Sequence, residues 1–306
     1  MLLACVIWGL SPLYYKLLSN VPPLEVLSHR TLWSLMFFWV ILLVQRRFMY
    51  PFHLLGHWRS LAVVVVASLM ISTNWFIYIY AIQVGRTVES SLGYYMFPLV
   101  AVLLGLFVFQ EKLSRAQWAA VGFAAVAVAV LTGGQGAAPY VSLVLATTFG
   151  AYGVMKKWSG AGPVVSVTAE VLVLAPLALL WLWGVHNWDW QGLAGRSGGF
   201  FGHSVQASLF LILSGPLTAA PLMLFSYASK RIRLSTLGLV QYLNPSLQFF
   251  CAVVLFGEHF TIWYAIAFPL IWFGLAIFSY DSVRQERAAR SSRAKSSTVA
   301  TDLKNV

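Results

Sequence analysis

Ser90-Ser91-Leu92-Gly93-Tyr94-Tyr95-Met96-Phe97-Pro98-Leu99 lies in one long apolar run, and Gln241-Tyr242-Leu243-Asn244-Pro245-Ser246 lies in another. The two are copies. Tyr80-Ala81 recurs as Tyr227-Ala228, Tyr95 as Tyr242, Pro98 as Pro245, Phe109 as Phe256, Glu111 as Glu258 and Ser114 as Thr261, always 147 positions later and without a gap. A constant offset over that length marks a duplicated structural unit.

Around these copies the chain is apolar almost throughout. Of its 306 residues 59% are hydrophobic and only 9% charged, with a mean hydropathy of +0.77, too little polar surface to cover a soluble globule of this size. Ten runs long enough to cross a hydrocarbon core as helix can be marked: Met1 to Leu18, Leu24 to Val44, Ser60 to Ile82, Val88 to Phe109, Ala116 to Leu131, Tyr140 to Met155, Val165 to Gly184, Val205 to Tyr227, Ser235 to Phe256 and Thr261 to Tyr280. Successive apolar residues, as in Val63-Val64-Val65-Val66-Ala67, exclude the alternation of a transmembrane barrel. The expectation is an all-α integral membrane protein of ten helices in two repeats, residues 1–134 and 135–281, followed by a basic, disordered tail or short amphipathic extension over 282–306.

Five helices per repeat is an odd number, so the second copy enters the membrane from the opposite side. Charge agrees. The loop before Glu89 carries a single Arg86, whereas its equivalent is Lys230-Arg231-Ile232-Arg233. With both termini cytoplasmic, sixteen of the twenty basic residues fall on the inner side: Arg46, Arg47, Arg59, Lys112, Arg115, Lys156, Lys157, Lys230, Arg231 and Arg233, with six more in the tail. This segregation into alternate loops explains the net charge of +11 without nucleic-acid binding, and makes membrane lipid the partner of the basic surface. Leu3-Ala4-Cys5 faintly resembles a lipoprotein cleavage site but lacks a basic region ahead of it, and reads as the first helix without a polar leader.

The quoted stretch, followed by Gln110-Glu111-Lys112-Leu113, resembles the hallmark of the EamA-type drug/metabolite transporters. Ile7-Trp8-Gly9-Leu10-Ser11-Pro12, Ser28-His29-Arg30-Thr31-Leu32-Trp33-Ser34 and Asn74-Trp75 are similar to motifs of the RarD group within it. The resemblance covers essentially the whole membrane portion, with two departures: the usual glycine before the glutamate is Gln110 in the first half though Gly257 in the second, and a polar N-terminal leader is missing. It implies ten helices around a central cavity in a bacterial inner membrane, moving a small organic solute outward without a bound cofactor.

Ionisable groups at membrane depth are functional suspects because burying a charge is costly. His29, Arg30 and Glu89 near outer helix ends, with Glu170 inside the seventh run, are the gating or coupling candidates. An Arg30–Glu89 ion pair would make a gate; Glu170 or His29 would carry a coupled proton. Asn74, Trp75, Tyr78, Tyr94, Tyr95, Gln241, Tyr242 and Asn244 offer uncharged donors, acceptors and ring faces for lining a solute cavity. Pro98 and Pro245 break the intrahelical ladder at equivalent sites and are hinge candidates. Gly93, Gly105 and Gly238 suit close helix contact, while Glu111 and Glu258 suit capping of the helix that follows each.

Other functions find less support. Six scattered histidines form no catalytic or metal cluster, Cys5 and Cys251 stand in apolar surroundings, and there is no phosphate-binding loop for direct use of ATP. An enzyme is not indicated. The competing class is a membrane interaction protein that carries nothing.

Overall fold

The computed structural model describes residues 1–110, 112–192, 196–229 and 240–302, the side chains of residues 226, 229 and 286–302 excepted. Every regular element among them is helical. Eleven helices follow in order: α1 Leu2–Leu17, α2 Pro23–Val44, α3 Tyr50–Leu55, α4 Trp58–Gln83, α5 Thr87–Phe109, α6 Arg115–Gln135, α7 Tyr140–Ser159, α8 Pro163–Trp188, α9 Val205–Ser229, α10 Leu243–Phe250 and α11 Ile262–Asp302. Glu111, Lys230 to Arg233 and Gly238 lie outside the described residues.

Seven of these, α2, α4, α5, α6, α8, α9 and α11, are long and apolar enough to cross a membrane, and two more apolar helices, Leu2–Leu17 and Leu243–Leu255, are shorter. Helix α7 is more polar because it packs between α4 and α5, where Ser142 donates to the Glu89 carbonyl (2.6 Å) and Thr148 accepts from Asn74 (3.0 Å). Ser142 and Thr148 thus turn toward protein, while Thr147 on the other face is exposed. The same inversion holds across the molecule: Met36, Val40, Leu177, Leu209 and Phe273 are exposed, whereas Glu25, Arg30, Asn74, Glu89 and Glu170 are buried. A soluble protein does the reverse.

Helix ends follow local chemistry. Ser114 starts α6 with a full capping box, its hydroxyl accepting from the Gln117 amide (3.1 Å) while the Gln117 side chain accepts from Ser114 (2.9 Å). Gln110 ends α5 at φ 53°, and its repeat equivalent Gly257 sits at φ 63°. Both copies therefore need a left-handed residue there, which glycine adopts freely and glutamine only with strain.

The two proline sites differ. Pro98 lies within the uninterrupted α5, but ahead of Pro245 the helix breaks at a turn on Tyr242 before α10 begins, and α10 then passes into a π-helical turn at Cys251–Leu255. Helix α11 runs to Asp302, carrying helical backbone into the tail for which disorder or a short amphipathic extension was expected, in keeping with the Ala, Arg, Gln, Glu and Lys of residues 284–295, all good helix formers.

Packing is close where small residues permit it. A Cβ on Gly93 would come within 2.8 Å of the Ser142 carbonyl, so α5 can approach α7 only without a side chain there. Helix α1 packs on α9 and α10, α2 on α8 and α9, α4 on α7 and α8, α5 on α7 and α10, and α6 on α11.

Candidate functional site

Consecutive residues Tyr94 and Tyr95, about 100° apart around α5, serve two different places. Tyr95 faces α10 and α11. Its hydroxyl bonds the Ser246 hydroxyl (2.6 Å), and its ring stacks on that of Tyr242, its own repeat equivalent, at 6.5 Å between centroids. Trp272 closes the group at 6.0 Å from Tyr95. These residues line a cavity of about 380 Å³ with Leu275, Ala276 and Ser279. Asn244 lies one turn away and accepts from Gln248 (2.9 Å), while Gln241 is half-buried beside Tyr242.

Tyr94 turns the other way, toward α4. Its hydroxyl donates to Asn74 Oδ1 (2.9 Å), and Asn74 donates in turn to the Leu145 carbonyl (2.9 Å) and to Thr148. With both amide hydrogens used, Asn74 ties α4, α5 and α7 together. The ring of Tyr94 contacts Tyr78 (5.7 Å), which contacts Tyr15 (5.8 Å) and bonds the Ser11 hydroxyl (2.8 Å). Arg30 stands against this row, its guanidinium 4.1 Å from the centroid of Trp75 and 5.8 Å from that of Tyr15. Trp75, Tyr78 and Tyr94 thus gather with Arg30, apart from the Tyr95–Tyr242 cavity.

The expected Arg30–Glu89 pair does not form. Glu89 pairs with Arg86 (3.4 Å) one turn before it, near the start of α5. Arg86 stands three residues before Glu89, the spacing that brings two side chains together on one helix face. His29 stacks instead on Phe201 (4.6 Å), with its Nε2 buried and without a partner among the described residues.

Glu170 does meet a cation, from another helix. Lys156 Nζ bonds Glu170 Oε1, Tyr152 donates to Oε2 (3.0 Å), and Ser166 donates to Oε1 (2.9 Å) while accepting from Lys156 (2.5 Å). Lys156, expected in an inner loop, belongs to the last turn of α7 and points inward. The apolar-run reading ended that helix four residues too soon, at Met155 instead of Ser159.

Glu258 also acts at a distance. It was expected to cap the helix after it, but accepts from the Thr87 (2.8 Å) and Val88 (2.9 Å) amides, the unsatisfied N-terminal donors of α5. Glu25 is a polar centre that the sequence reading passed over. Fully buried, it accepts from the amides of Gly199 (3.0 Å), Phe200 (2.9 Å) and Phe201 (3.4 Å), a concave backbone nest that Gly199 permits with φ 89°. Pro22-Pro23 followed by an acid marks a helix start, but gives no sign of partners 174 residues away.

Among the described residues no group of three or more His, Cys, Asp or Glu side chains is placed to hold a metal ion.

Residues 1–133 match the EamA-like transporter family. Protein RarD of Streptomyces exfoliatus is 40% identical over 284 residues, spanning 93% of this chain and 88% of that protein. An uncharacterized transporter of Pseudomonas aeruginosa is 38% identical over 293 residues, with 94% of each chain covered. A solved crystal structure of a protein matches 90% of this chain and 94% of its own with a TM-score of 0.58 at 21% identity, a likeness of fold alone.

Proposed function

Because this chain belongs to the EamA-like transporter family, in its RarD group, we propose that it is a secondary transporter moving a small organic solute out of the cell by alternating access. Its ten membrane helices are α1, α2, α4, α5 and α6 in the first half and α7, α8, α9, α10 and α11 in the second, with opposite orientation. The membrane is the bacterial inner membrane, with both termini cytoplasmic, in line with the basic loops.

The observation that carries this reading is the helix packing. Exchanging each helix of one half for its counterpart in the other turns the α5–α7 contact into α10–α1, α4–α7 into α9–α1 and α2–α9 into α8–α4, all of which occur. The α2–α8, α5–α10 and α6–α11 contacts map onto themselves. A molecule built this way has two arrangements of nearly equal energy, one the mirror of the other in role, and rocking between them exposes a shared site to alternate sides. Tyr95 and Tyr242 are equivalent residues that touch, so they sit beside the axis of that exchange, with their cavity for the solute and the break ahead of Pro245 as a hinge.

Coupling, in this reading, falls to His29 before Glu170. The Glu170 carboxylate is already neutralised by Lys156, whereas the His29 Nε2 has no partner among the described residues.

Purified protein in liposomes, offered amino acids, nucleosides and hydrophobic drugs with and without an imposed proton gradient, tests the proposal. At least one solute enters faster than into empty liposomes if it is right. Uniformly background uptake overturns it in favour of a membrane interaction protein.

A further inference from the structure

Arg30 holds a charge that nothing in its surroundings answers. The residue is only 7% exposed, and among the described residues it makes no hydrogen bond and no ion pair; its Nε is buried without any partner. Among the described residues the buried acids are all engaged elsewhere, Glu25 by the loop amides, Glu89 by Arg86 and Glu170 by Lys156. A buried cation left without an acid is unfavourable, and the contact with Trp75 offsets only part of that.

The geometry also says which part of Arg30 remains unused. The guanidinium carbon of Arg30 lies over the Trp75 ring, 4.1 Å from its centroid. A ring face offers the N–H donors no lone pair, and the buried Nε has no partner among the described residues. Those donors form the fork that accepts the two oxygens of a carboxylate or a phosphorus oxyanion side by side. Tyr15, its ring centroid 5.8 Å from the guanidinium carbon, continues through Tyr78 to Tyr94 in a row of ring contacts that offers an apolar wall for an organic remainder.

We propose that Arg30 anchors the oxyanion of a small organic anion, in a site walled by Trp75, Tyr15, Tyr78 and Tyr94. The proposal rests on the transporter reading for its physiological meaning, since the anion would be the solute or part of it. It stands on Arg30 for its chemistry. A lysine would supply the charge but not the fork, and an amide in place of the oxyanion would supply the shape but not the charge.

The test is direct binding to the full-length protein in lipid nanodiscs, read as the shift of the thermal unfolding midpoint with benzoate, phenylphosphonate or benzamide. Benzoate, phenylphosphonate or both should raise the midpoint, and benzamide should not; whichever anion acts tells a carboxylate site from a phosphorus one. Arg30→Gln should weaken anion binding by about tenfold or more and Arg30→Lys by a few-fold, while Lys112→Gln on an exposed loop leaves it unchanged. Should Arg30→Gln fail to fold, the wild-type contrast of anion with amide and the Arg30→Lys variant decide the matter. No shift with either anion, an equal shift with benzamide, or an undiminished shift in Arg30→Gln overturns the proposal. Because binding is read without transport, a null shift beside positive solute uptake removes the anchor alone, and a positive shift beside null uptake removes the transporter reading alone.

Discussion

Lys156→Met lowers the stability of this protein by about 3–5 kcal/mol, because it strands the Glu170 carboxylate where its side chain is 2% exposed. Tyr152 and Ser166 still donate to that carboxylate, but two neutral hydroxyls do not replace a cation. Glu170→Gln is milder, since Lys156 is 26% exposed and can turn toward water. The informative variant is the double one. Lys156→Met combined with Glu170→Gln keeps an acceptor for Tyr152 and removes both charges, so it recovers more than half of the loss. Thermal unfolding midpoints of the four proteins in one detergent close the cycle. Equal losses in the Lys156→Met single and the double variant would mean that the lysine acts through packing instead of charge.

Glu25→Ala is the second large loss, about 3 kcal/mol. Hydrogen bonds to a charged group are each worth about 1.5–3 kcal/mol, and two of the three here have good length. The effect reaches beyond stability, because the nest Glu25 holds also places Phe201 against His29. Amide exchange at residues 199–201 should accelerate in Glu25→Ala and much less in Glu25→Gln, which keeps one acceptor oxygen. Exchange there unchanged by Glu25→Ala would show that the loop holds its shape without the carboxylate.

These two centres show where the sequence ceases to speak. Most of the long helices could be read from apolar runs to within about four residues, because lipid and backbone hydrogen bonding demand such runs; the short Tyr50–Leu55 helix and the polar extension of α11 to Asp302 carry no such run and were not read. Ser114 carries a local capping signature, and it forms. The partners of Glu25, Glu170 and Glu258 come from other helices and loops, so no local pattern announces them. Spacing alone fixes that Tyr94 and Tyr95 diverge around one helix; which neighbour each meets depends on how α5 is rotated in the bundle. Arg30 was paired with Glu89 on an argument of shared depth, but Glu89 has the nearer Arg86 one turn before it.

The claim on which the rest depends is that the two halves are inverted. Lys112 and His259 are equivalent residues at the 147-residue offset, and both are exposed. A cysteine at each, in a background where the buried Cys5 and Cys251 are serine, can be probed with a membrane-impermeant maleimide. The inverted arrangement predicts that His259→Cys is labelled in intact cells and Lys112→Cys only after the membrane is opened. Labelling of both from the same side would contradict it.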